Sequence, residues 1–171
     1  MWIVSYLRRR EYKRRFREWT EDSGSELEVG LAPPTVNGIK MYSRIEDAKV
    51  FGRPGKIDVS DSIVELDFYQ KGLTLDYENE KLIYFGLIFS PKDDVSSDSK
   101  MTAARGTLFY RQRLFLSAKV TPENIIEILG KPVEEDLDDD EKILVFHIDG
   151  YRIETEYTLA NALKRFNVYP I

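Results

Sequence analysis

The chain has 171 residues, of which 42% are hydrophobic and 12% aromatic, enough for one domain or two small halves sharing a core. It contains no cysteine, which excludes disulfides, thiolate metal sites and thiol nucleophiles. The net charge is −5, but Arg8 to Arg17 holds seven basic residues and one acid, a net of +6 that leaves −11 on the remainder. A basic arm on an acidic body argues against a general nucleic-acid binder, which needs a broad cationic surface, though not against binding through the arm alone.

The N-terminal stretch MWIVSYLRRREYKRRFREW places only Trp2 to Leu7 before the arginines. That is far short of the roughly 20 apolar residues that span a bilayer. In a signal peptide the charges precede the apolar run, whereas here they follow it. This order matches the cytoplasmic flank of a membrane helix. The chain as it stands therefore reads as cytoplasmic, and as membrane-anchored if its N-terminus is a truncation. Tyr12, Phe16 and Trp19 recur at i, i+4 and i+7, which predicts a basic helix with one aromatic stripe. Its cations are Arg8, Arg9, Arg10, Lys13, Arg14, Arg15 and Arg17. They would meet an anionic membrane or nucleic acid. The simpler expectation is that the stripe packs on the body and the cations stay solvated. Residues 1–30 form this arm and a linker, Glu21 to Glu28, which Pro33-Pro34 closes.

Residues 31–90 read as a first unit. Asn37-Gly38 has the signature of a tight hairpin turn, followed by a short strand from Ile39 to Tyr42. Ser43-Arg44-Ile45-Glu46 has the form of a capping box that opens a short helix through Phe51, stopped by Gly52 and Pro54. Ile63 to Gln70 and Leu73 to Glu78 alternate on either side of Lys71-Gly72, the pattern of a hairpin. Leu82 to Phe89 is nearly all apolar and suits a buried central strand. Ser90 to Arg105 is rich in serine and aspartate, so residues 91–105 read as an exposed loop between halves.

Residues 106–171 read as a second unit. Leu108 to Ser117 is strand-like. Thr121 caps a helix that has Pro122 in its first position and runs to Leu129, with Gly130 and Pro132 as its stop. Lys142 to Asp149 and Tyr151 to Tyr157 flank a turn at Asp149-Gly150, and Ala162 to Tyr169 makes the last element.

The two units superpose with one offset of 78 residues and no gap over Ser43 to Asn79. Gly52 falls on Gly130, Pro54 on Pro132, Leu66 on Leu144, Phe68 on Phe146, Leu75 on Ile153 and Gly72 on Gly150. The expected fold is therefore α+β. It comprises two tandem repeats, each a short helix plus an antiparallel three- to four-stranded sheet.

The order of polar cap, short helix, L-G-x-P, acidic loop, hairpin and strand resembles the repeat of the β-lactamase-inhibitor-protein family. It is also similar to the small lipoproteins of bacterial outer-membrane assembly. The best-matching stretch is Thr121 to Pro132 (TPENIIEILGKP), with Phe51-Gly52-Arg53-Pro54 at the same place in the first half. Counted over both halves, the resemblance covers about two-thirds of the chain. It implies helices on one face of a sheet and a role in binding proteins by surface contact, as an inhibitor, immunity or adaptor protein. It carries over no catalytic residue. Unlike the lipoproteins, this sequence holds no lipid-attachment cysteine, and its first residues do not read as a signal segment.

Glu134 to Glu141 holds seven carboxylates in eight positions. A hard cation needs six to eight oxygens and a loop bent by a glycine, and no glycine lies in this run. It reads as a solvated loop with no metal. His147 and Asp149 share one strand face, with Leu144, Phe146 and Ile148 on the core face, and Tyr69 stands at the place of His147 in the first half. His147 as the general base of a hydrolase is an alternative, although no nucleophile-elbow motif accompanies it. Gly52-Arg53-Pro54-Gly55 is too short for a phosphate-cradling loop. The strand tyrosines Tyr69, Tyr77, Tyr84, Tyr110, Tyr151 and Tyr157 serve either as partner anchors or as packing.

The leading expectation is a non-enzymatic protein-binding module with no catalytic residue, metal or cofactor. Its contact surface would comprise Glu134, Glu135, Asp136, Asp138, Asp139, Asp140, His147, Tyr69 and Tyr151, facing a basic partner in a salt-sensitive association. Homodimerisation is a further reading, and the basic arm offers the membrane or nucleic-acid alternative.

Overall fold

Period-two alternation builds most of the fold as strands. The computed structural model describes residues 2–20, 26–60, 62–92 and 100–171, with backbone alone for 2–6. Helix α1 (Trp2–Arg15) runs into a 3₁₀ turn at Phe16–Glu18. Strands β1 (Leu27–Leu31), β2 (Pro34–Val36) and β3 (Ile39–Lys40) precede a 3₁₀ helix, Ile45–Phe51. Then come β4 (Lys56–Ser60), β5 (Ile63–Phe68), β6 (Leu73–Glu78) and β7 (Lys81–Ile88), followed by β8 (Gly106–Tyr110) and β9 (Gln112–Leu116). Helix α2 (Pro122–Leu129) leads to β10 (Glu134–Leu137), β11 (Glu141–Ile148), β12 (Tyr151–Thr158) and β13 (Leu163–Pro170).

The strands form two sheets, and the fold is α+β. The large sheet has the order β10-β11-β12-β13-β7-β6-β5-β4, and every neighbouring pair is antiparallel. The small sheet has the order β3-β2-β1-β8-β9, with a parallel β1–β8 pair. A parallel pair needs a long crossover, and the whole first run of large-sheet strands supplies it.

One face of the large sheet carries the core. Leu66, Phe68, Leu73, Leu75, Phe85 and Leu87 join Leu144, Phe146, Ile153, Phe166 and Val168 in a single buried cluster. The cluster takes in Ile45, Ala48 and Phe51 from the 3₁₀ helix, and Ile125, Ile128 and Leu129 from α2. Leu27, Val29, Leu31, Leu108 and Leu116 bring in the inner side of the small sheet. Each fully buried side chain of this size is worth about 1.5–3 kcal/mol of transfer free energy. The aromatic stripe belongs to the same core. Tyr12, Phe16 and Trp19 are buried, with ring centroids 5.7 Å (Tyr12–Phe16) and 4.5 Å (Phe16–Trp19) apart, and α1 lies beside β4.

Several local expectations are met, and others are displaced for identifiable reasons. Asn37-Gly38 and Asp149-Gly150 have positive φ at both residues, as a two-residue hairpin turn requires. Thr121 caps α2, its N–H bonding the Asn124 side-chain oxygen at 3.1 Å. In the first half the cap is Arg44 rather than Ser43, with its N–H on Asp47 at 3.0 Å, and Glu46 instead pairs with Arg15. The Lys71-Gly72 turn is longer than expected: a 3₁₀ turn spans Tyr69–Lys71, and Gly72 is left-handed. There the backbone of Thr102, Ala104 and Ile88 closes on Gly72 so tightly that a Cβ would overlap it. The stretch read as an exposed loop thus ends packed on the body, with Met101 and Ala104 buried, while its residues 93–99 lie outside the described residues. The linker reading is similarly shortened, because Leu27 and Glu28 already belong to β1 and residues 21–25 lie outside the described residues.

The longer turn changes the match between halves. Leu66 faces Leu75 on β6, but Leu144 faces Thr155 on β12. The residue opposite Leu144 is thus 80 positions after the one opposite Leu66, so the registers do not carry the Leu75–Ile153 match read at an offset of 78. Tyr77 and Tyr157 then correspond, opposite Val64 and Lys142, and each follows a ladder irregularity, at Asp76/Tyr77 and Glu156/Tyr157.

Candidate functional site

The acidic run is not a loop. Glu134 to Leu137 is β10, the terminal strand of the large sheet, pairing antiparallel with β11. An edge strand needs only one ladder partner, so exposed carboxylates on both of its faces are compatible with pairing and guard the free edge. Asp138, Asp139 and Asp140 form the turn into β11, where the Asp138 carboxylate accepts the N–H groups of Asp140 and Glu141, each at 2.8 Å. Those two backbone donors hold the Asp138 carboxyl below its usual range. Glu134 accepts from Arg152 at 3.4 Å, and Glu141 pairs with Lys164. The side chains of Glu135, Asp136, Asp139 and Asp140 are exposed and bond no partner among the described residues.

His147 is exposed on β11 directly opposite Arg152, with Leu144, Phe146 and Ile148 on the buried face as expected. No described serine, carboxylate or carbonyl bonds His147, so it lacks the orienting partner of a catalytic base. Arg152 is engaged elsewhere, bonding Glu154 at 3.0 Å and lying over the Tyr169 ring, whose hydroxyl donates to Glu154 at 2.7 Å. Burial, joined by the Glu154 carboxylate, pushes the Tyr169 phenol up to about 12.

The two tyrosines of the expected surface lie elsewhere. Tyr69 is in the 3₁₀ turn after β5, its ring against Gly55, and is not the strand equivalent of His147. Five strand spacings separate β11 from β5, about 24 Å at ~4.8 Å each. Tyr151 shares the core-facing side of β12 and packs against the cluster. Tyr77 and Tyr157 are fully buried. The contact surface read from sequence therefore reduces to β10, its turn and the neighbouring His147.

A second polar region was not anticipated. Glu65, Asp67 and Asp76 share the face of the large sheet opposite the core with Glu154 and Glu156. The i, i+2 spacings of Glu65/Asp67, Thr74/Asp76 and Glu154/Glu156 were the available signal. Asp67 is buried, accepts from Thr74 at 2.7 Å and lies 3.6 Å from Lys56. Burial raises its carboxyl pKa despite those partners. Asp76, directly opposite Glu65 and Tyr84, is pushed up to about 7 by burial and then by the charges of Glu65 and Asp67. Its Oδ1 has no hydrogen-bond partner among the described residues. Glu156 is raised chiefly by burial, although Asn167 donates to it at 2.6 Å. Among the described residues, no group of three or more His, Cys, Asp or Glu is placed to hold a metal ion.

Along α1 and the 3₁₀ turn that follows it, Arg9, Arg10, Lys13, Arg14 and Arg17 are exposed, while Arg8 and Arg15 are half-buried. Arg15 bonds Glu80 at 2.6 Å, also pairs with Glu46 and lies over the Tyr12 ring. The Arg15 hydrogen bond lowers the Glu80 pKa. Among the described residues, no helix is long and apolar enough to cross a membrane.

The fold defines a two-sheet α+β protein, with paired carboxylates and cations on the large sheet. No protein-family model and no curated protein matches the chain. Its fold is similar to the crystal structure of a DUF4309 family protein (YjgB) from Bacillus subtilis, with a TM-score of 0.52 and 16% identity over 80% of this chain and 84% of that one. At that identity the likeness speaks for the fold alone.

Proposed function

We propose that this protein is a non-enzymatic binding module of the inhibitor, immunity or adaptor type, built from two copies of one scaffold unit, and that β10 with its turn is the contact surface. The observation that carries the reading is the set of uncommitted carboxylates on a free edge. Glu135, Asp136, Asp139 and Asp140 are exposed and unbonded, whereas Glu134, Asp138 and Glu141 are consumed internally. Such groups fit a basic partner and would steer its approach. The duplication is supported by the sheet registers. At the centre, Phe85 faces Val168, Gly86 faces Asn167 and Leu87 faces Phe166. With the halves matched 81 residues apart on these strands, a two-fold through the Gly86–Asn167 pair exchanges them.

The test is capture of partners at low salt by the wild type and by a Glu135→Lys/Asp136→Lys/Asp139→Lys/Asp140→Lys variant. The wild type should retain basic proteins that the variant releases. Equal retention by both, or none by either, overturns the reading.

A second reading rests on the five exposed cations of α1 and the following 3₁₀ turn, which would bind an anionic membrane or nucleic acid. Because the aromatic stripe is buried, the cations rather than the stripe would carry such binding. Replacing Arg9, Arg10, Arg14 and Arg17 by glutamine should then abolish binding to anionic vesicles or RNA. Binding that survives the replacement counts against it.

A further inference from the structure

The outer face of the small sheet is the chemical complement of β10. One row of directly opposed residues crosses all five strands: Lys40, Thr35, Gly30, Phe109 and Arg113. Phe115 shares that face, opposite Thr107 and diagonal to Phe109. Phe109 is 37% and Phe115 49% exposed, in contrast to the buried phenylalanines of the core. Arg113 lies 4.9 Å over the Phe109 ring and Arg111 lies 5.3 Å over the Tyr110 ring. Lys40, Arg111 and Arg113 bond no carboxylate among the described residues. A shallow groove between the Ala32-Pro33 bend and the β8–β9 hairpin has Gly30 and Phe109 in its lining and Lys40, Arg111 and Arg113 at its rim.

An apolar strip with cations at both ends, beside the terminal strand of a sheet, fits an extended acidic segment flanked by apolar side chains. The chain itself carries such a segment. Val133 and Leu137, 60% and 70% exposed, bracket Glu134-Glu135-Asp136 on the terminal strand of the other sheet. The spacing matches as well. Arg113 and Phe115 stand at i and i+2 on one face of β9, and Glu135 and Leu137 stand at i and i+2 on one face of β10.

We infer that β10 of a second copy adds to β9 as a parallel strand, setting Glu135 beside Arg113 and Leu137 beside Phe115. This rests on the preceding reading of β10 as a contact surface and names a partner for it. Strand addition supplies main-chain hydrogen bonds, while the facing side chains fix the register. The two surfaces differ, so the contact is heterologous and every open assembly keeps one free β9 at one end and one free β10 at the other. Assembly therefore grows beyond a dimer with concentration.

Sedimentation velocity from ~10 μM to ~1 mM protein should show concentration-dependent association at ~25 mM salt that fades at ~500 mM, where screening is nearly complete. Arg111→Glu/Arg113→Glu and Glu135→Lys/Asp136→Lys should each weaken association by about tenfold or more, consistent with 1.4 kcal/mol per decade. An equimolar mixture of the two should restore it, because each then offers a strand of opposite charge to the other, and restoration also shows that both fold. The native chain has no cysteine, so Leu137→Cys should form an intermolecular disulfide with Phe115→Cys in a mixture. Preferential linkage to Arg113→Cys instead overturns the parallel register. A wild type that stays monomeric throughout, or a mixture that fails to associate, overturns the inference. If basic proteins are still captured through β10 in that case, the preceding reading stands alone; if that capture fails too, both fall.

Discussion

The Tyr84 hydroxyl donates a hydrogen bond to the Asn167 side-chain oxygen at 2.9 Å, across the β7–β13 pair at the middle of the large sheet. The bond exists because residue 86 is glycine: a Cβ there would overlap the Tyr84 hydroxyl and crowd the same Asn167 oxygen. Gly86→Ala should therefore destabilise by about 1–3 kcal/mol through overpacking. Tyr84→Phe should cost about 1–2 kcal/mol by leaving the Asn167 oxygen without its donor. The combined variant should lose less than the sum, since removing the hydroxyl relieves part of the overlap. Urea midpoints of the four proteins decide it, and strict additivity would refute the coupling.

Asp76 sets a pH dependence whose sign follows from its surroundings. Its folded-state pKa is raised to about 7, above the ordinary carboxyl value, so the folded protein holds a proton that the unfolded chain has released. Stability from this group is present below about pH 4 and is lost as pH rises towards 7. Asp67 and Glu156, both raised, act in the same direction. Asp76→Asn should accordingly be more stable than the wild type at pH 8, by about 1–3 kcal/mol, and equal to it near pH 4. Denaturation midpoints at the two values test this; a variant less stable at pH 8 would contradict it.

The fully buried Tyr77 hydroxyl has no hydrogen-bond partner among the described residues. Burial, followed by the charge of Asp47, raises its phenol well beyond the ordinary range. Removing a polar atom that was desolvated without compensation should not weaken the fold. Tyr77→Phe is expected to leave the urea midpoint unchanged or to raise stability by up to ~1 kcal/mol. A loss beyond that size would mean that the hydroxyl is satisfied in solution.

What was legible in the sequence was local. Asn37-Gly38 and Asp149-Gly150 announce positive φ, Pro122 and Gly130 bracket α2, and the spacing of Tyr12, Phe16 and Trp19 marks a buried stripe. Each depends on the chemistry of a few neighbouring residues. What was not legible depends on distant backbone. Parallel pairing of β1 with β8 joins strands separated by most of the first half. The two-residue slip between halves arises where Thr102 and Ala104 close on Gly72, a contact that no pattern around Gly72 announces. The same slip breaks the Tyr69–His147 equivalence. Charge density concealed β10, because an edge strand with both faces in water needs no apolar alternation. Alternation did mark Glu65, Asp67 and Asp76 as facing away from the core, but their burial there follows from the neighbouring strands and is invisible along the chain.

Burial of the stripe governs how the basic arm is to be tested. Phe16 is 1% exposed between Tyr12 and Trp19, so α1 is held by core packing as well as by the Arg15 pairs with Glu46 and Glu80. Phe16→Ala should cost about 3–5 kcal/mol if α1 stays docked. If undocking α1 is cheaper than holding the cavity, the loss is smaller and amide exchange in residues 8–17 rises instead. Arg15→Ala removes half-exposed ion pairs and should cost only about 0.5–1 kcal/mol. Deleting the arm would therefore confound binding with stability, whereas glutamine at Arg9, Arg10, Arg14 and Arg17 removes charge from exposed positions. That variant should keep the wild-type urea midpoint within about 0.5 kcal/mol, as surface substitutions generally do. A larger change would show that these cations hold the helix in place, and the arm would then be a structural element before it is a binding one.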